Sequence, residues 1–180
     1  MKRIISSQKN EPAIVEDHWF LLRDPRAETR ADAQSATIFP FSLWRELRQA
    51  GVRLDPARTA IWLSADDDFR DEIDAISKLP LVAIDFPDFR DGRGYSLAYL
   101  LRTRYGFKGD LRAIGDVLRD QLFYMLRCGF TSFDVREDKD IADALKGLQT
   151  GFAVRYQGAA DDPVPLFRKR QEAGHSGRCE

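Results

Sequence analysis

The sequence predicts an α/β protein made of repeated strand–helix units on a mainly parallel sheet, and three observations predict it. Short apolar runs alternate with segments of helical period from residue 59 onward. The runs start roughly 20–30 residues apart, the span of a strand with its crossover helix. Several runs are apolar at consecutive positions, as strands covered on both faces are. Four such units suit half of a (β/α)8 barrel or an open doubly wound sheet. A half-barrel exposes its sheet edges, and a homodimer partner or the N-terminal segment would have to cover them.

The elements follow in chain order. Residues 1–12 read as a flexible leader. An edge strand is expected within 14–22, where Asp17 and His18 interrupt the apolar pattern, and 23–36 reads as a polar loop. Residues 41–50 predict a short helix, with Trp44, Leu47 and Ala50 on one face and Gly51 closing it. The run 60–63 predicts a strand. Asp66, Asp67 and Asp68 suit the positive end of a following helix that carries Ile73 and Ile76 and stops near Pro80.

The run 81–84 is the next strand. After a polar loop comes a helix bearing Leu97, Leu100, Leu101 and Tyr105, which Gly106 ends. Strand 111–114 is followed by a helix over 116–127, which Gly129 ends. Strand 130–135 precedes a helix over 140–148, and 152–156 alternates as a last strand. Residues 1–34 are thus a leader with an edge strand, 35–157 the α/β domain and 158–180 an irregular tail, in which Leu166 and Phe167 could anchor a docking segment.

A chain of 180 residues holds one domain of ordinary composition, 43% hydrophobic and 32% charged. Its net charge of -1 gives no general attraction to nucleic acid or to an anionic membrane. Arginine supplies 21 of the 28 basic residues, and its planar fork matches oxyanions. The two cysteines, Cys128 and Cys179, and the two histidines, His18 and His175, have no metal-ligand spacing, so no metal and no cofactor is expected. Cys128, before a helix-ending glycine, suits packing rather than nucleophilic work. No segment reads as a signal peptide or membrane span, which points to the cytoplasm.

Ligands of parallel α/β folds gather at the carboxyl ends of the strands. That rule selects 64–68, 85–96, 115–116 and 134–138. In the second of these, Gly92 and Gly94 could free the backbone to cradle an anion beside a helix N-terminus. Arg90 and Arg93 add charge, Asp91 builds the turn, and Ser96 serves as cap or early-helix hydroxyl. Arg112, a charge inside a strand, needs a partner or a site. Asp116 is its expected partner, with Asp120 and Gln121 following, and Arg93 and Arg112 could converge on one oxyanion. Asp85, Asp116 and Asp134 are acid/base candidates at strand ends that could equally cap helices. Tyr95, Tyr99 and Tyr105 suit packing.

Three blocks carry a resemblance. They are 86–96 (FPDFRDGRGYS) with Leu100, Leu101 and Arg102 after it, 109–121 (GDLRAIGDVLRDQ), and 127–130 (RCGF). Across roughly residues 35–157 the chain resembles a bacterial family of unknown function often labelled a probable oxidoreductase involved in sulfite reduction. The resemblance implies a place beside assimilatory sulfite reductase, in sulfate assimilation and cysteine biosynthesis, and brings no residue roles. The chain lacks ligands for siroheme or an iron–sulfur cluster and lacks a flavin fingerprint. The resemblance therefore implies an accessory that docks on sulfite reductase or binds its anionic substrate. A stand-alone small-molecule enzyme and a non-catalytic interaction module are the alternatives.

Overall fold

Three apolar runs become the central strands, and the rest of the sheet assembles around them. The computed structural model describes residues 2–8, 11–24, 36–149 and 155–175. In chain order it contains β1 (Arg3–Ser6), β2 (Ala13–Glu16), β3 (Phe20–Leu21), β4 (Thr37–Pro40), α1 (Phe41–Gln49), β5 (Thr59–Leu63), α2 (Ile73–Ile76), β6 (Leu81–Phe86), α3 (Arg93–Thr103), β7 (Asp110–Gly115), α4 (Leu122–Cys128), β8 (Ser132–Phe133), α5 (Ile141–Gln149) and α6 (Leu166–His175). Single 3-10 turns precede α2 and α4.

The strands form one sheet in the order β2-β1-β8-β7-β6-β5-β4-β3. β3 through β8 are mutually parallel, and β1 joins β8 and β2 antiparallel. β2 and β3 lie at opposite edges, yet only Asp17, His18 and Trp19 separate them. Four Cα steps reach at most about 15 Å. In a flat sheet seven strand spacings would part the two edges by roughly 34 Å. The sheet therefore curls into an eight-stranded half-barrel. It remains open, because β2 and β3 do not pair.

Side chains alternate between the two faces. Ile61, Leu63, Val82, Ile84, Phe86, Leu111, Ala113 and Phe133 pack outward against the helices, with Trp44, Ile76, Leu101, Leu122, Met125 and Leu148. Inside the curl, Ile38, Ala60, Leu81, Ala83 and Ile114 meet Trp19, Leu21 and Trp62. The chain between β2 and β3 crosses this inner face, tied by Asp17 to Arg112 of β7.

Several expectations change. Residues 3–6 are not a leader: Ile4 and Ile5 are buried, and β1 pairs on both sides. β4, buried at all four positions, lies just past the expected loop, most of which (25–35) falls outside the described residues. Asp67 does not begin a helix. Its carboxylate accepts the Ser64 N–H at 2.7 Å and builds a turn, and helical structure starts at Arg70. In the tail, Leu166–His175 is helical rather than irregular, with Phe167 exposed. The strand expected at 152–156 falls largely outside the described residues. Among the described residues no helix is long and apolar enough to cross a membrane.

Candidate functional site

The parallel strands bring three aspartates to one end of the half-barrel: Asp85 in β6, Asp116 just after β7 and Asp134 just after β8. A cleft of about 640 Å³ opens there, lined by Lys2, Asp134 and Arg136 on one side and by Trp19, Leu21 and Arg23 on another. Each aspartate grips a cation. Lys2 Nζ donates to Asp134 at 2.7 Å, Arg23 Nη1 to Asp85 at 2.7 Å, and Arg136 Nη1 to Asp116 at 2.9 Å. The cations are 40–42% exposed and their carboxylates 10–19%. The carboxylates are therefore anchors. Lys2 and Arg23 keep donors free at the cleft, whereas Arg136 is fully engaged, its Nε and Nη2 also binding Asp138 at 2.6 and 2.7 Å. The Arg23 guanidinium also lies 5.5 Å from the Trp62 ring centroid.

Below the cleft the curl holds a buried polar column. Arg112 Nη1 donates to both Asp17 oxygens at 2.9 and 3.0 Å, and Nε donates to Ser132 Oγ at 3.2 Å. Arg112 Nη2 lies 3.5 Å from Asp110, which also accepts the Ser132 hydroxyl at 2.7 Å. Arg112 and Asp17 are 5% and 6% exposed, so the pair is shielded from solvent. Burial pushes the Asp134 carboxyl above the usual aspartate range; Lys2 and Arg112 oppose that rise and Asp17 adds to it.

Arg112 therefore pairs with Asp17 and Asp110, not with Asp116, whose guanidinium partner is Arg136. Nor do Arg93 and Arg112 converge. Arg112 shares the inner face with Ala83, its register partner in β6, whereas α3 packs on the outer face against Ile84 and Phe86.

The glycine-bearing loop is closed on itself. Arg90 binds Asp88 through Nε and Nη2, at 3.0 and 2.7 Å, and draws that carboxyl down to about 2. Arg93 binds Asp91 the same way, lowering it, and also pairs with Asp66. Gly92 and Gly94 have no positive φ, so neither supplies a special backbone conformation. Gly94 serves packing: a Cβ there would stand 2.7 Å from the Phe86 ring. Ser96 is exposed within α3 and does not cap it, and Asp120 is exposed. Gln121 Nε2 donates to Phe89 O at 2.7 Å, while the Phe89 N–H donates to Asp116 at 3.1 Å. The second sequence block thus clamps the first.

Gly115 has φ 93°, and a Cβ there would meet Phe86 O at 2.4 Å and Asp85 Oδ1 at 2.7 Å. It lets the end of β7 lie against β6 at the cleft. Lys2, Asp17 and Arg23 lie outside the places that the strand-end rule selects. Asp17 did leave a trace, as the charge interrupting an apolar run. Arg136 falls within the selected 134–138. Cys128 is buried, and burial pushes its thiol up. Tyr95 packs on Phe86 and Tyr105 on Phe69, while Tyr99 is exposed. Among the described residues no group of three or more His, Cys, Asp or Glu could hold a metal ion.

Fold and site define an α/β half-barrel with a charged cleft at the carboxyl ends of its parallel strands. The chain belongs to a family of bacterial proteins of unknown function (DUF934), whose model matches residues 60–167. That span includes the three sequence blocks, Asp85, Asp134 and Arg136, and excludes Lys2, Asp17 and Arg23. No curated protein and no solved structure matches the chain.

Proposed function

We propose that the protein is an accessory of assimilatory sulfite reduction that docks on sulfite reductase and takes an oxyanion in the strand-end cleft. The observation that carries the oxyanion part is the pair Lys2 and Arg23, each fixed from behind by a strand-end aspartate and lining the cleft with donors to spare. Arg23 uses one N–H on Asp85, and Lys2 one of its three donors on Asp134, which leaves donors for a ligand. The backing carboxylates cancel much of the positive charge, so the ligand gains hydrogen bonds more than net attraction. Sulfite reduction itself rests on the resemblance carried by blocks 86–96, 109–121 and 127–130.

A deletion strain tests the role. It should fail on sulfate and on sulfite, grow on sulfide, and recover with the wild-type gene but not with Arg23→Gln. Normal growth on all three sulfur sources would remove the protein from this process.

A second reading, a stand-alone small-molecule enzyme, is favoured by Asp134. A buried carboxyl of raised pKa, 2.7 Å from an ammonium in a cleft of metabolite size, suits proton transfer. This reading expects turnover of a metabolite by the isolated protein, abolished in Asp134→Asn.

A further inference from the structure

The two sides of the cleft offer different uncommitted groups. One side is the exit of β3, where Trp19, Phe20 and Leu21 form an apolar surface beside Arg23, which keeps donors to spare on its Asp85 anchor; Asp17, which also lines the cleft, is committed to Arg112. The other is the exit of β8, where Asp134 is held by Lys2 and Asp138 by Arg136 and Lys139, while Glu137 has no such close partner. Glu137 has an 89% exposed side chain whose nearest cation, Lys2, is 4.0 Å away, so its carboxylate is open to another partner. A purely anionic ligand would use Arg23 and leave Glu137 without a partner. A purely cationic one would meet the reverse. The volume, about 640 Å³, also exceeds what a three-oxygen inorganic anion needs and lies in the range of organic ligand sites.

We infer that the ligand of this cleft is a small organic zwitterion, with its carboxylate or sulfonate on Arg23, its ammonium against Glu137 at the exit of β8, and its carbon body along Trp19 to Leu21. This deepens the proposed oxyanion site: it rests on the cleft being a ligand site and gives the oxyanion a cationic companion. It does not depend on the link to sulfite reduction.

Calorimetric titration of the full chain tests it with leucine and taurine as zwitterions, isocaproate and isoamylamine as the matched acid and amine, and sulfite. Leucine or taurine should bind roughly tenfold or more tightly than the acid, the amine and sulfite, the difference expected from one charged hydrogen-bonding end. Which of the two binds separates a carboxylate from a sulfonate ligand. Arg23→Gln should weaken the zwitterion by a similar factor. Because that change also strips Asp85 of its partner, a second variant is needed. Glu137→Gln alters an exposed side chain with no close ion pair and should weaken the zwitterion without weakening isocaproate. Equal binding of leucine and isocaproate would overturn the inference. So would binding of sulfite alone, which would leave the oxyanion site standing. Binding of none of these compounds would overturn both.

Discussion

Gly115 and Gly94 are each fixed by what a methyl group would strike. At Gly115 the obstacle is backbone, the Phe86 carbonyl at 2.4 Å, and φ is positive, so Gly115→Ala has no easy relief. At Gly94 it is a ring edge, which can shift; Gly94→Ala should cost about 1–3 kcal/mol and Gly115→Ala more. At Gly92 a Cβ finds its nearest neighbour at 4.0 Å, so Gly92→Ala should stay within about 0.5 kcal/mol. Urea unfolding of the three variants checks this order, and a large loss at Gly92 would restore a special backbone role there. Asp134 yields a prediction in pH. Its folded pKa is raised, so the folded state binds the proton more tightly than the unfolded one. Stability from this group therefore falls as pH rises from 3.8 through the folded pKa, and its penalty is complete above that. Asp134→Asn should thus compare best with wild type at neutral pH and lose ground on acidification. Carboxylates held low by arginine, such as Asp88 and Asp91, act oppositely but cancel in this difference.

Among the elements, the outer layer is joined by single side chains that reach several carbonyls. Arg102 of α3 donates Nε to Gly129 O at 2.8 Å and Nη1 to Phe107 O and Gly109 O at 2.7 and 2.8 Å. It also donates Nη2 to Thr131 Oγ1 at 3.2 Å. One guanidinium thus ties the end of α4 to the entries of β7 and β8. Lysine has the charge but not the fork. Arg102→Lys should cost about 2–4 kcal/mol, two or more charged hydrogen bonds, and faster amide exchange at residues 107–109 and 129–131 would localise the loss. These links also explain what was legible beforehand. The runs 60–63 and 81–84 announced β5 and β6 because consecutive apolar residues leave little else to form, and 111–114 announced β7 although Arg112 interrupts it. The glycine-rich block announced a loop but not its purpose, because whether a glycine cradles an anion or admits a phenylalanine ring depends on which strand packs behind it. Arg112 announced a need for a partner, yet that partner, Asp17, lies 95 positions away.

On the scale of the whole molecule, the curl depends on the N-terminal segment, whose four-residue strands mix Arg3, Ser6 and Glu16 with apolar residues and so carry little local signal. β1 covers the edge of β8, Ile5 is fully buried in the outer core, and Lys2 forms part of the cleft. The crossing from β2 to β3 then seats Asp17 on Arg112 and places Arg23 opposite Lys2. Fold closure and site assembly are therefore one event. Removing residues 1–8 withdraws Ile4 and Ile5, uncovers the edge of β8 and deprives β2 of the strand it pairs with. Deleting a single buried isoleucine side chain costs about 2–5 kcal/mol, a large share of a typical domain's total of about 5–15 kcal/mol. The truncated chain should lose cooperative unfolding or aggregate through the exposed edge. Ile5→Ala separates packing from edge exposure: it keeps β1 paired and should lower the unfolding midpoint while preserving a single transition. A leader would give unchanged unfolding in both proteins, and that result would refute the role assigned to β1.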